Sequence, residues 1–169
     1  MVRLEPVAAD HPRAQALLTA YFAMRGEAFP KGQVYRPVFP SASVFEPPAG
    51  IFLVLVDDDG RDAGCGGIRR IDDGARGARY EVKHLYVDPT TRGRGWGRVL
   101  LGGLEQRARE WDAAELVLDT HHTLEAAGAL YARSGFVAIP PYNDNPNATR
   151  WYGKQLKDRK SGSAGMPRP

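Results

Sequence analysis

The chain has 169 residues, of which 43% are hydrophobic and 25% charged, and a net charge of +3. That is enough for one domain with a real core, and the balance is that of a globular chain rather than a disordered one. No apolar run reaches the length of a bilayer span, the N-terminus MVRLEPVAAD has no apolar h-region, and a single cysteine, Cys65, excludes an intrachain disulfide. These features predict a cytoplasmic protein with no membrane partner.

The charge is unevenly placed. Residues 157–169, KDRKSGSAGMPRP, carry the whole +3, and residues 1–156 are neutral overall. The tail is polar and rich in Gly, Ser and Pro, so it is predicted to be disordered, with the folded domain at 1–156. Nucleic-acid binding needs basic residues gathered on a folded surface, and the placement argues against it.

Met1–Pro6 reads as a strand. Asp10-His11-Pro12 marks a helix start, and Ala14–Met24 is helical. Residues 25–50 hold Pro30, Pro37, Pro40, Pro47 and Pro48 among the aromatics Phe29, Tyr35, Phe39 and Phe45. Two readings stand: a loop packing its aromatics on the core, or a lid on the substrate side. Ile51–Val56 is a continuous apolar run and so a central strand. Asp57-Asp58-Asp59-Gly60 is a turn without EF-hand spacing. Ala63–Ile71 is a strand weakened by glycines, Asp72–Gly77 a turn, and Tyr80–Val87 an alternating strand that Asp88-Pro89 stops.

From Trp96 the period changes. Trp96, Leu100, Leu104, Ala108 and Trp111 follow helical spacing. Glu115–Thr120 (ELVLDT) is a buried strand, and Leu124–Arg133 a helix ended by Ser134-Gly135. Phe136–Ile139 is a strand, Pro140–Asn147 a loop, and Thr149–Leu156 the last strand. The order is that of an α/β domain, antiparallel early and with a βαβ crossover late.

Between the strand Tyr80–Val87 and the helix lies Arg92-Gly93-Arg94-Gly95-Trp96-Gly97-Arg98. A helix start presents unpaired N–H groups and partial positive charge, and the glycines let the backbone close on a ligand. With the arginines beside it, the junction predicts a phosphate or pyrophosphate site. It fits neither the G-x-G-x-x-G fingerprint nor a P-loop.

The pattern is R-x-x-G-x-G after a strand ending Leu85-Tyr86-Val87-Asp88-Pro89. It resembles the acyl-CoA-binding motif of the GNAT superfamily of acyl-CoA N-acyltransferases, with Arg92, Gly95 and Gly97 at the motif positions. Ala127-x-x-x-Tyr131-x-x-x-Gly135-Phe136 is similar to the family's later signature, although Leu124 stands where many members have Asn. The resemblance covers about residues 1–156. It implies a GNAT-like fold: a mixed, mostly antiparallel central sheet flanked by helices. It also implies acetyl-CoA as co-substrate, with the amides of Gly93, Arg94, Gly95, Trp96 and Gly97 on the pyrophosphate. Arg92, Arg94 and Arg98 would lie near its phosphates, and the Leu85 and Val87 backbone along the pantetheine arm. Family members often pair as homodimers, though no residue here points to it.

The implied reaction is direct acetyl transfer to the primary amine of an acceptor, a small amine or amino-acid-like metabolite first and a protein amine second. A lysine-type amine, with a pKa of about 10.4, must lose a proton, and the leaving thiolate must gain one. Tyr131 is the candidate acid. Glu81 is the candidate base, since a carboxylate in an apolar strand needs a reason; an ion pair with Lys83 or an arginine is the other reading. His84, His121 and His122 are rival bases, the last two at the expected lip of the cleft on the substrate side. Tyr142, in the late loop, is a candidate wall of the acceptor pocket. No metal-ligand spacing is present, and Cys65 reads as a core filler. The alternative to an enzyme is an acyl-CoA-binding sensor or partner-binding module without turnover.

Overall fold

Gly50–Val56 contains no polar side chain because it is covered on both faces. Phe52, Val54 and Val56 pack into one apolar layer, Ile51, Leu53 and Leu55 into the other. The computed structural model, which describes residues 1–157, builds the rest of the domain outward from this strand.

In chain order the elements are β1 (Arg3–Pro6), α1 (Pro12–Ala28), β2 (Gly50–Val56), β3 (Asp62–Gly74), β4 (Gly77–Val87), α2 (Trp96–Glu110), β5 (Glu115–Thr120), α3 (Glu125–Arg133), β6 (Val137–Ala138) and β7 (Arg150–Gln155). They form one seven-stranded sheet in the order β1-β2-β3-β4-β5-β7-β6, antiparallel throughout except for the parallel pair β4–β5. This is the expected fold class, a mixed and mostly antiparallel sheet flanked by helices. α1 runs four residues past Met24, and the β3–β4 hairpin extends through the expected turn to the pair Gly74–Gly77. Phe136–Ile139 shrinks to two strand residues. The expected tail lies outside the described residues from Asp158 onward.

α1 covers one face of the sheet through Ala14, Leu17, Leu18, Tyr21 and Phe22; α2 covers the other through Leu100, Leu101, Leu104 and Ala108. The glycines of β3 give these layers room. A Cβ on Gly67 would meet the Phe45 ring at 2.6 Å, and one on Gly66 would meet Leu104 Cδ1 at 3.1 Å.

Two departures from regular pairing shape the middle of the sheet. First, Gly67 faces Lys83 but Cys65 faces Tyr86, so β4 carries one extra residue there. His84, at φ 58°, absorbs it in the left-handed region. Before this bulge Tyr80 and Val82 enter the α2 layer; after it Leu85 and Val87 do, while Tyr86 joins the α1 layer. Second, β4 pairs with β5 only at Arg79, Tyr80 and Glu81. Past Glu81 the two strands part, and the β5-facing edge of β4 has no strand partner among the described residues.

Candidate active site

The turn before α2 has the form that anion binding requires. Asp88 caps the preceding 3-10 turn through Thr90 N at 3.0 Å. Gly93 and Gly95 take φ values of 85° and 76°, and Gly95 caps α2 with no side-chain bond. The first helical bond is Val99 N to Gly95 O, and among the described residues no backbone N–H from Gly93 to Arg98 has a protein acceptor. A Cβ on Gly93 or Gly95 would meet nothing within 4 Å. Unspent donors around open space fit the diphosphate of an acyl-CoA.

The turn opens into a cleft of about 1320 Å³ that continues between the parted strands. Leu85, Val87, Arg92, Gly93, Gly95, Trp96, Gly97 and Arg98 line it from the α2 side. Arg94 does not; its guanidinium lies over the Trp96 ring, 5.2 Å from the centroid. Leu124 caps α3 without a side-chain bond and forms part of the same wall.

Tyr131 also lines the cleft, packed against Phe136 and Tyr152 and 6% exposed. Its hydroxyl has no hydrogen-bond partner shown among the described residues. Burial pushes its phenol above the ordinary value, an effect the nearby Arg25 charge only partly offsets. It is therefore a protonated group facing the cleft.

Glu81 sits in β4, the strand expected, with its carboxylate held inside the protein. It is 1% exposed and does not line the cleft. Arg69 Nε donates to its Oε1 at 2.9 Å, and the Tyr142 hydroxyl to its Oε2 at 2.6 Å. The ion-pair reading of this carboxylate therefore holds, with Arg69 as partner. Tyr142 likewise stays off the cleft wall; burial and then the Glu81 charge raise its phenol above the ordinary value.

A carboxylate that does reach the cleft, besides Glu125 at the start of α3, is Asp119, in β5 where the strands part, with its side chain 6% exposed. Asn143 Nδ2 donates to it at 2.7 Å and Asn145 Nδ2 at 3.2 Å, and Lys83 Nζ lies 4.0 Å away. The sequence reading missed this residue. The signal was an acid in the apolar strand ELVLDT, the argument already made for Glu81. The late loop is a ladder of asparagines: Asn143 Oδ1 accepts from Asn145 N, Asn145 Oδ1 from Asn147 N, and Asn147 Nδ2 donates to Arg36 O at 3.0 Å. Asn143, Asn145 and Asn147 all line the cleft.

The histidines divide. His84 lines the cleft inside a cage of Tyr21, Phe22 and Phe45, with Nδ1 buried and unpartnered. Burial, then Lys83, Arg69 and Arg25, push it down to about 3. His121 and His122 stack on each other at 4.5 Å and bond Thr123 and Thr149. They line a separate recess of about 370 Å³ rather than the main cleft. In the 25–50 segment both readings find residues: Phe45 is buried against the core, whereas Val38 and Phe39 stand exposed at the cleft. Among the described residues no group of His, Cys, Asp and Glu is arranged to hold a metal, and no helix is long and apolar enough to cross a membrane.

The fold and this cleft together are those of the acyl-CoA N-acyltransferase class of structures. The chain belongs to the GNAT acetyltransferase family, whose model matches residues 14–136. Among solved structures, one from Klebsiella pneumoniae assigned to the acyl-CoA N-acyltransferases is 30% identical, with a TM-score of 0.72 over 92% of this chain and 98% of that one. A GNAT acetyltransferase from Elizabethkingia anophelis with acetyl-CoA bound shares the fold at 15% identity and TM-score 0.61, over 92% and 98% of the two chains. An IAA acetyltransferase of Azospirillum brasilense is 37% identical over 57% of this chain and 63% of its own length. An uncharacterised N-acetyltransferase of Schizosaccharomyces pombe is 37% identical over 60% of this chain and 61% of its own length. The chain thus spans under two thirds of the length of these last two relatives.

Proposed function

We propose that this protein transfers an acetyl group from acetyl-CoA to the primary amine of a small acceptor, both bound at once. What carries the reading is one continuous cleft lined by Gly93, Gly95, Trp96, Gly97 and Arg98 of the turn, by Tyr131 and by Asp119. Acetyl-CoA would supply an activated thioester, held at its diphosphate by the turn with Arg92 and Arg98 beside it. The partnerless edge of β4 at Leu85 and Val87 offers backbone groups to the extended arm.

Asp119 receives the N–H groups of the acceptor amine and, with water, draws off the proton that leaves it nucleophilic. Tyr131 holds on its hydroxyl the proton that a departing thiolate takes up. Glu81 acts as a positioning residue: paired with Arg69, it anchors the late loop through Tyr142 and Asn143, and so the loop's asparagines on Asp119. His84, held neutral, shapes the acceptor side of the cleft.

The test is release of free thiol from acetyl-CoA in the presence of a panel of primary amines. Amine-dependent thiol release with matching N-acetyl product supports the reading. Tight binding of acetyl-CoA with no turnover on any amine would instead assign a binding module.

A further inference from the structure

The acceptor side of the cleft contains a cation without a counter-ion. Arg25, in the last turn of α1, is only 8% exposed and lines the cleft. Its guanidinium donates to the Tyr21 hydroxyl at 3.1 Å and to Asn147 O at 2.9 Å, and lies 5.3 Å from the Tyr35 ring centroid. Among the described residues it enters no ion pair, whereas Arg69 is matched by Glu81 and Lys83 by Asp119. A guanidinium has five N–H donors, and two neutral acceptors leave it short of both partners and charge. Burying such a cation is costly unless an anion completes it.

We propose that the acceptor is an amine that also carries a carboxylate on an apolar body, an apolar amino acid, with Arg25 binding the carboxylate and Asp119 the amine. This rests on the transferase reading above and names its substrate class. The two charges are set by one short loop: Asn145 holds Asp119 and the Asn147 carbonyl holds Arg25. Phe22 and Phe39, 4.9 Å apart edge to face, and Tyr35 line the cleft on the same side and give the apolar body its surface. Arg25 is close enough to the reaction centre for its charge to act on Tyr131.

The experiment compares kcat/KM for matched pairs that differ by the carboxylate alone: L-phenylalanine against 2-phenylethylamine, and L-leucine against 3-methylbutylamine. Each pair is run on the wild type, Arg25→Gln and Arg25→Lys, with thermal unfolding of each. The wild type should favour the amino acid by about tenfold or more, as expected for a charge-assisted, bidentate contact. Arg25→Gln should bring the ratio close to one, chiefly through KM of the amino acids, and Arg25→Lys should restore part of it. A wild type indifferent to the carboxylate, or equal losses on both members of a pair, would overturn the proposal while leaving amine acetylation intact. No turnover on any of the four, with acetyl-CoA bound, would overturn this proposal, and the wider amine panel then decides the transferase reading. Should Arg25→Gln not fold, the wild-type ratio and Arg25→Lys decide.

Discussion

Trp151 fixes the direction of the Asn143 carboxamide. Its indole N–H donates to Asn143 Oδ1 at 2.9 Å. An indole nitrogen can only donate, so the amide nitrogen must turn the other way, onto Asp119 at 2.7 Å and toward Glu81 at 3.5 Å. Two acids from neighbouring strands are thereby joined by a neutral donor.

Replacing that donor should expose the arrangement. Asn143→Asp puts a third carboxylate between Asp119 and Glu81 and removes both N–H contacts. We expect kcat/KM to fall by about 10²-fold, and Asp119→Asn to fall at least as far, since both disturb the group that receives the amine. Steady-state kinetics with a responsive amine measures both. An Asp119→Asn variant at wild-type activity would remove Asp119 from the reaction.

Tyr131→Phe should lower kcat by about 10²- to 10⁴-fold, the usual worth of a positioned proton donor, and leave acetyl-CoA affinity within a few-fold. Burial raises the phenol above its ordinary value of about 10, so the protonated form persists on the alkaline side. The wild-type rate should therefore climb with pH as the amine deprotonates, with no descending limb from this group below pH ~10.

Much of this was legible in the sequence. The two-sided burial of β2, the period change at Trp96 and the glycine turn follow from the order of residue types. The bulge did not: Lys83-His84-Leu85-Tyr86 continues a regular alternation, and only the register against β3 reveals the added residue. Glu81 was read as a carboxylate that needs a partner or a role, but its enclosure depends on Arg69 and Tyr142, which are 12 and 61 residues away. The asparagine ladder looked like an ordinary loop because its contacts with β5 and Arg36 are set by tertiary packing.

Two glycines in one stretch should behave in opposite ways. Gly95→Ala forces a Cβ into the left-handed region at φ 76°, a cost of about 1–2 kcal/mol if the turn is kept. Acetyl-CoA affinity should drop by about tenfold in calorimetry. Gly102, inside α2, has nothing within 4 Å of a built Cβ. Gly102→Ala should leave affinity alone and raise stability by about 0.5–1 kcal/mol.

His84 should make stability depend on pH near neutrality. An unfolded imidazole titrates at about 6.5, while in the fold it is pushed down to about 3. Between those values the unfolded chain binds more protons, so this contribution is full above pH ~6.5 and declines toward pH 3. Urea unfolding should lose up to about 2 kcal/mol from pH 7 to 5. His84→Asn tolerates the left-handed backbone without titrating and should flatten that slope. An unchanged slope in the variant would place the proton uptake elsewhere.

The parting of β4 from β5 also governs traffic. Residues from both faces of the sheet line the one cleft, so under the proposed reaction thioester and amine are expected to enter from different sides. Turnover should then have no compulsory order of arrival. Coenzyme A should compete with acetyl-CoA but not with the amine, and an acetylated product can depart on its own side while the spent carrier is still seated.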